Sequence, residues 1–509
     1  MKDITPLGII QFRDKSVKFG IKRDDRRRHM YIIGKTGTGK TTLIENLLVH
    51  DIINGEGLGY LDPHGDSVKR LLKYVPKERI EDIIYFDPSD VSHPVAFNPL
   101  EKVDWESRHI VASSIMSVFK KIWVDAWSAR MEYILTNTLL ALLELDGTTL
   151  LDINRMLGDD KFRATVISRL RDPVVKAFWD NEFARYHSQF RTEAVAPIQN
   201  KVGQFITNPL IRNIIGQPKS SVNLREMMDG KKVFLANLSK GALGEESATL
   251  LGGLLITSFQ IAAMSRVDIS ESERSDFQLY IDEFQNFATE SFINILSEAR
   301  KYRLNLVLAH QYLDQVLEEI MQAVFGNVGS FIVFRVGSLD GEMFEKEFSS
   351  IYTQEFLDLP KYHAYVKLLV DGVSSRPFLT TTFALPPEPE NALDEEIIKI
   401  SRLKFAKNKA VVEARISQTY QAVASGKKDE QIIVYCSQCH QQFYTSKKHP
   451  EEICPDCLNT HESSGLSLKN LSGGDLTQNI KESKNQKKNE ENKDFVMSLL
   501  KKLKGEEEG

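Results

Sequence analysis

The 509-residue chain has only four cysteines, and all of them lie between Cys436 and Cys457. The rest of the sequence offers no thiol for a disulfide framework, so the cysteines indicate one metal site in a reducing compartment. The N-terminal stretch, MKDITPLGIIQFRDKSVKFG, lacks the basic-then-apolar pattern of a secretion signal. The formal net charge is only −5, so any surface that binds nucleic acid has to be local.

Long uncharged runs are also scarce. One run, SATLLGGLLITSFQIAAMS from Ser247 to Ser265, has no charge over nineteen residues, which is long enough to span a bilayer. Polar residues and glycines dilute its hydrophobicity, and it lies between two apparent core strands. We therefore interpret it as a buried helix of a large α/β core, and we expect no integral membrane span.

Strand-like and helix-like segments alternate before residue 100 and again after residue 226, with a purely helical pattern between them. Alternation of this kind predicts an α/β fold built of βαβ units with a mainly parallel sheet. The predicted parts are an N-terminal lead (1–28), the α/β core (29–100 and 226–385), an all-helical insertion domain (101–225), a linker and helical segment (386–431), a cysteine module (432–458) and a disordered charged tail (459–509).

A glycine-rich segment, GKTGTGKT, begins at Gly34 and fits the phosphate-loop pattern G-x-x-x-x-G-K-[ST] without a mismatch. Glycines let the backbone approach a ligand closely, and the loop N–H groups and the helix N-terminus then bind phosphate oxygens. Lys40 would place its charge on the β- and γ-phosphates, and the Thr41 hydroxyl is the expected Mg²⁺ ligand. The predicted ATP-binding residues are Gly34, Lys35, Thr36, Gly37, Thr38, Gly39, Lys40, Thr41, Thr42 and Asp282.

A pair of acids follows the apolar run FQLYI. Asp282 would hold Mg²⁺ opposite Thr41, and Glu283 would act as general base toward the attacking water. The alternative is an ordinary strand end with two solvated acids, which the intact phosphate loop disfavours. Lys40 and Asp282 are 242 residues apart (282 − 40). This gap is too long for a simple nucleotide kinase or a small GTPase, and it indicates an inserted domain.

Two more side chains are candidates for catalysis. Gln311 ends the strand-like run LNLVLAHQ, where its amide could bond to the γ-phosphate or to the attacking water; the alternative is an ordinary turn glutamine. Arg300 is the preferred arginine for neutralising transition-state charge across a subunit boundary, with Arg303 and Arg335 as rivals. The alternative for Arg300 is a solvated helix end with stabilising basic residues.

Several segments together resemble the FtsK–HerA superfamily, and more closely the TraG/TraD-type coupling ATPases of conjugative DNA transfer, in the TraM recognition domain group. These segments are HMYIIGKTGTGKTTL, YLDPHGDSV, YIDEFQNFAT, LSEARKYRLNLVLAHQY and GNVGSFIVFRVG, within about residues 25–385. The resemblance implies a RecA-like core, a ring hexamer, ATP-driven movement of DNA, and a helical domain that recognises relaxosome cargo. It places Lys40 and Thr41 on the phosphate loop, Asp282 and Glu283 on Walker B, Gln311 on the glutamine sensor and Arg300 on the trans arginine finger.

The predicted function is therefore a hexameric, DNA-translocating ATPase of conjugative or mobile-element transfer. One alternative is a HerA-like translocase that works with a nuclease in repair, and another is a type IV secretion ATPase that exports protein without contacting DNA. Membrane-bound coupling proteins begin with transmembrane helices, whereas this sequence has none before Tyr31. Docking at a secretion channel would then need a partner, and we expect a cytoplasmic location or a peripheral one at the inner face of the cell membrane.

The cysteines form two C-x₂-C pairs separated by fourteen residues. Two such pairs complete a closed, tetrahedral Cys₄ site for a structural Zn²⁺, so we predict a zinc ribbon. Phe443 and Lys447 lie between the pairs and suit stacking on bases and contact with phosphates, although a ribbon that contacts only protein fits equally well. The predicted zinc ligands are Cys436, Cys439, Cys454 and Cys457.

Overall fold

The computed structural model describes residues 3–101, 103–424, 431–435 and 442–446. The chain divides into two compact units, Met1–Lys407 and Asn408–Gly509. The first unit contains one large sheet with helices, and the second contains a helix and a two-stranded hairpin. The four cysteines lie outside the described residues, so the zinc ribbon stays a prediction.

One sheet of eleven strands organises the first unit, in the order β2-β1-β13-β10-β9-β3-β8-β7-β4-β6-β5. Strands β11 and β12 form a small separate hairpin, as do β14 and β15 in the second unit. The strands are β1 Ile4–Phe12, β2 Lys15–Lys22, β3 Met30–Ile33, β4 Gly57–Asp62, β5 Ile83–Phe86, β6 Val233–Asn237, β7 Phe277–Ile281, β8 Leu304–His310, β9 Ser330–Val333, β10 His363–Lys367, β11 Leu369–Val370, β12 Val373–Ser374, β13 Phe378–Thr382, β14 Gln431–Tyr435 and β15 Gln442–Ser446.

The strands from β9 to β5 in this order run parallel. Their residues are buried almost without exception, as expected for strands covered on both faces, which read as continuous apolar runs. The predicted α/β fold with a mainly parallel sheet is confirmed. Strand β3 lies between β8 and β9, so the residues that follow these three strands meet at one edge of the sheet.

The other end of the sheet is antiparallel and contains β1 and β2, near the start of the chain. β10 pairs with β9, β13 with β10, β1 with β13 and β2 with β1. After β2, Arg26 forms two hydrogen bonds to the Asp51 carboxylate, at 2.8 and 2.9 Å, and a third to the Tyr280 hydroxyl. All three side chains are buried, so residues 3–28, which belong to the segment expected only as a lead, form part of the sheet and its packing.

Helices cover the sheet and form the long connection between β5 and β6. In that connection the described residues contain helices α4 to α11 and no strand. The helices are α1 Arg23–Arg26, α2 Lys40–Ile53, α3 Asp66–Leu72, α4 Arg108–Ile122, α5 Ala129–Leu143, α6 Asp152–Gly158, α7 Asp160–Ile167, α8 Pro173–Ala177, α9 Ser188–Thr207, α10 Pro209–Ile215, α11 Leu224–Asp229, α12 Lys240–Leu243, α13 Glu245–Met264, α14 Phe292–Glu298, α15 Glu318–Asn327, α16 Ser338–Phe348, α17 Thr353–Leu357, α18 Asp394–Phe405 and α19 Lys409–Ala424.

The uncharged run noted in the sequence forms most of α13, which packs against α4. By length and composition alone, Glu245–Asp268 is the one helical stretch in the described part of the chain that could cross a membrane, with a mean hydropathy of 1.5. However, 72% of its most apolar window is buried inside the protein, as in a core helix, so this is weak evidence for a span. Gly253 allows the close approach of α4, because a Cβ there would lie 3.0 Å from Val118.

Candidate functional site

The carboxyl edge of the parallel strands gathers most of the predicted site. The phosphate loop follows β3, Asp282 and Glu283 follow β7, and Gln311 follows β8. β3 is the neighbour of β8, and β8 is the neighbour of β7, so the three segments emerge side by side. Ligands of open α/β sheets bind at this edge.

The phosphate loop is held from both sides before α2 begins at Lys40. The Gly34 N–H donates to the carbonyl of His310, the last residue of β8, and the Lys35 N–H donates to the Arg335 carbonyl after β9, at 3.4 and 2.8 Å. The Thr38 hydroxyl closes the turn by donating to the Lys35 carbonyl at 2.7 Å. The loop is therefore fixed by the neighbouring strands and by its own turn, which leaves its exposed segment from Lys35 to Gly37 facing solvent.

A glycine is required at the last turn of the loop. Gly39 has φ 123°, and a Cβ at this position would lie 2.9 Å from the ring of Tyr362. The Tyr362 N–H donates to the Thr38 carbonyl at 2.7 Å, and Tyr362 itself has φ 65°, unusual for a bulky residue. The segment that leads into β10 thus contacts the phosphate loop directly, a contact that the sequence pattern does not reveal.

Lys40 is buried, and its ammonium lies within the loop. Its Nζ donates to the Gly34 carbonyl at 2.6 Å. Burial lowers the pKa of Lys40, while the nearby Glu283 and Asp282 carboxylates act in the opposite direction. The amine is therefore placed beside both acids that the sequence predicts for the site.

Two carboxylates are buried next to each other at the ends of β7 and β4. Asp62 accepts hydrogen bonds from the N–H groups of His64 and Val68, at 2.9 and 3.1 Å. Asp282 is 3% exposed, and burial together with the charges of Glu283 and Asp62 raises its pKa to about 7. A divalent cation bound between Asp282 and Thr41 would neutralise this concentration of negative charge, so the residues present fit Mg²⁺.

The described residues contain no cluster of three or more His, Cys, Asp or Glu side chains that could hold a metal by themselves.

Gln311 connects the phosphate loop to the second acid. Its side-chain nitrogen donates to Glu283 Oε1 at 2.9 Å, and its side-chain oxygen accepts from the Thr36 hydroxyl at 3.0 Å. Glu283 has φ 47°, in the left-handed region, and Gln285 donates to its other oxygen at 2.7 Å. The two amides therefore hold a buried carboxylate beside the phosphate loop.

The structure does not bring Arg300 to the site of its own chain. Arg300 precedes β8, so it lies at the amino edge of the sheet, and its exposed side chain forms no ion pair or hydrogen bond with the described residues. Arg303 is engaged with Glu271. Arg335 is exposed and follows β9, and its carbonyl contacts the phosphate loop, so of the three candidate arginines it lies nearest to the site of its own chain.

The sequence offers no sign of two residues that the structure places around the acids, Gln285 and Tyr362, whereas the motif that begins at Asp62 is visible in the sequence without a definite role. Asp62 had a detectable signal, since DPHGD follows an apolar strand at the same edge. Gln285 and Tyr362 had none, because their relevance depends on contacts made only in the folded chain.

Residues 16–347 match the family model of the type IV secretion-system coupling protein DNA-binding domain. No curated protein matches the chain.

Among solved structures, the conjugative coupling protein TrwB in an unbound form matches with a TM-score of 0.53 and 15% identity, covering 72% of this chain and 87% of that chain. TrwB in complex with ADP and Mg²⁺ gives 0.54 and 16%, covering 74% and 90%. VirB4 of Thermoanaerobacter pseudethanolicus gives 0.51 and 12%, covering 75% and 96%. At these identities the matches establish a shared fold.

The family model covers the phosphate loop, the helical connection, both acids and Gln311, and the shared fold extends over most of the chain. The chain therefore belongs to the type IV secretion-system coupling protein DNA-binding domain family, and it is a TraG/TraD-type coupling ATPase.

Proposed function

We propose that this chain hydrolyses ATP as a ring of six subunits and uses the energy to move DNA during conjugative or mobile-element transfer. Membership of the family supports the coupling role and the binding of DNA. The fold-related TrwB has been obtained with ADP and Mg²⁺, which supports these ligands for the site described above. Relaxosome or secretion-channel proteins are the partners that a coupling role requires, and we propose a cytoplasmic or peripheral membrane location.

The observation that carries the proposal is the hydrogen-bonded series Thr36–Gln311–Glu283. If Gln311 were an ordinary turn glutamine, it would not need to contact both the phosphate loop and Glu283. Gln311 is placed to respond when a γ-phosphate enters or leaves the loop and to transmit this change to Glu283. That arrangement suits an enzyme that couples hydrolysis to movement rather than one that only binds nucleotide.

In the proposed reaction, the loop N–H groups and Lys40 bind the phosphate chain and stabilise the charge that develops on it. Thr41 and Asp282 would hold Mg²⁺, which supplies further neutralisation of phosphate charge. Glu283 accepts a proton from the attacking water, and Gln311 orients that water. Burial of Glu283 and Asp282 keeps competing solvent out of this contact.

Arg300 acts in the proposed ring on the site of the neighbouring subunit, since it lies far from its own. Mixing Arg300→Ala with Lys40→Ala tests this assignment. In a mixed ring the Arg300→Ala subunit keeps an intact phosphate loop and receives Arg300 from its Lys40→Ala neighbour. We expect activity to reappear on mixing; Arg335→Ala would not be rescued in this way if Arg335 acts within its own chain.

The function is tested by measuring ATP turnover of the purified chain with and without DNA, with Lys40→Ala as the inactive control. We expect DNA to raise turnover severalfold and light scattering to give the mass of a hexamer. Turnover that DNA leaves unchanged would point instead to a secretion ATPase that exports protein. A stable complex with a nuclease partner would favour the alternative role in repair.

A further inference from the structure

The C-terminal end of α4 contacts the loop that follows the two acids. The Lys121 ammonium donates to the Gln285 carbonyl at 2.9 Å, and the Gln285 amide donates to Glu283 Oε2 at 2.7 Å. Lys121 thus lies two hydrogen bonds from the proposed general base, although it is 162 positions away in the sequence (283 − 121).

Close packing keeps α4 and this loop together. A Cβ at Gly253 of α13 would lie 3.0 Å from Val118 of α4. One residue earlier, a Cβ at Gly252 would lie 2.2 Å from the ring of Phe287 in the loop. Val118 and Phe287 therefore pack directly against the backbone of α13. A displacement of α4 would be transmitted to the loop, because closely packed elements leave no space to absorb it.

Lys121 differs from its neighbour Lys120 in its surroundings. Lys120 is exposed and pairs with the exposed Glu290 at 2.9 Å. Lys121 is half-buried, and the Gln285 carbonyl is its hydrogen-bond acceptor; no carboxylate pairs with it among the described residues. Burial and the charge of Lys240 lower the pKa of Lys121 to about 8. A partly buried cation without a counter-charge costs free energy. This cost argues against a lysine that only places its charge in solvent.

We propose that Lys121 is a positioning residue for ATP hydrolysis, through which the helical segment between β5 and β6 sets the placement of Glu283. Glu283 occupies the left-handed region, and a residue held there persists only when its surroundings fix it. Gln311 fixes one carboxylate oxygen from the phosphate-loop side, and the Gln285–Lys121 pair fixes the other from the helical side. Binding of cargo to the helices would then alter turnover. This inference rests on the proposed hydrolysis.

The test compares steady-state turnover of the full chain with Lys121→Met, Lys121→Arg and, as matched control, Lys120→Met. We expect Lys121→Met to lower kcat about tenfold while KM changes less than about twofold, because the lost contact acts on the general base and not on bound ATP. Lys121→Arg keeps a donor and should recover most of the rate. Lys120→Met should behave like the wild type, since its ion pair is exposed.

Gln285→Leu provides a second variant that keeps the carbonyl contacted by Lys121 but removes the amide that contacts Glu283. We expect the same fall in kcat, and no further fall in the double variant Lys121→Met/Gln285→Leu, because both changes break one series of contacts. Wild-type turnover in Lys121→Met, or a fall that Lys121→Arg fails to reverse, overturns the inference. If the wild type itself binds ATP without hydrolysing it, the proposed function fails instead, independently of Lys121.

Discussion

The imidazole of His29 makes the stability of this protein sensitive to acid, because its hydrogen bonds require the neutral form of the ring. His29 is 1% exposed; the Leu306 N–H donates to its Nδ1 at 3.0 Å, and its Nε2 lies 3.2 Å from the Leu296 carbonyl. A backbone N–H can only donate, so Nδ1 carries no proton and Nε2 donates to Leu296. Protonation would place a second N–H against that of Leu306.

Burial lowers the pKa of His29 to about 4, and the charge of Arg300 acts in the same direction. The unfolded chain, with an ordinary pKa of 6.5, therefore binds the proton more readily than the folded chain. The contribution of neutral His29 to the free energy of unfolding is complete above pH 6.5 and is lost as the pH falls from 6.5 toward 4. At about 1.4 kcal/mol per pH unit, this amounts to roughly 2 kcal/mol at pH 5.

The variant His29→Asn isolates this contribution. Asparagine tolerates the φ of 62° found at this position, and its side-chain oxygen can still accept from Leu306. We expect it to cost about 1–2 kcal/mol at pH 8, where the bond to Leu296 is lost. Between pH 8 and pH 5, however, it should lose roughly 2 kcal/mol less than the wild type.

Urea unfolding followed by circular dichroism at pH 8, 6.5 and 5 measures these differences. His310, also buried with a pKa lowered to about 3, contributes to the acid sensitivity of both proteins and cancels in the comparison. His64→Asn alters an exposed imidazole and serves as the control. Equal losses for wild type and His29→Asn would refute the assignment of a neutral, hydrogen-bonded His29.

Three further predictions concern the site and the cysteines. Lys40→Ala should reduce ATP turnover by about 10²-fold or more, because the charge on the phosphates is lost; turnover near the wild-type level would exclude the assigned site. Gln311→Leu should leave the affinity for a fluorescent ATP analogue within about threefold but lower kcat by roughly 10²-fold, and a variant that instead loses only affinity would contradict the sensor role. Cys436→Ser should remove the one zinc per chain that elemental analysis is expected to find in the wild type, whereas a zinc-free wild type would exclude the Cys₄ site.

The phosphate loop, the acids and Gln311 could be predicted because each depends on a short segment at the end of a strand. The loop pattern predicts which residues would contact phosphate, and the apolar runs of β7 and β8 indicate where the carboxyl edge lies. Parallel strands have no short turn to reveal their pairing, yet they align these ends at one edge. The residues themselves remain candidates until the variants above are measured.

Other parts depend on contacts between distant positions and leave no local signal. β1 pairs with β13, about 370 positions later, and the exposed residues of β2 do not resemble the apolar core strands. The segment RRRH at 26–29 is a run of basic residues in the sequence, but Arg26 and His29 are buried by partners that only the fold supplies. Lys121 and Gln285 are 164 positions apart (285 − 121), so no pattern in either segment indicates the hydrogen bond between them.

The N-terminal hairpin has a consequence for how the chain can be shortened. A fragment that begins at Met30 would retain every nucleotide-binding motif, but it would uncover the free hydrogen-bonding edge of β13 and leave the Asp51 carboxylate buried without its guanidinium. An open strand edge pairs with strands of other molecules and so promotes aggregation. A buried carboxylate without its ion-pair partner also destabilises the folded state. We expect such a fragment to precipitate rather than catalyse, although the missing segment contains none of the motifs of the site.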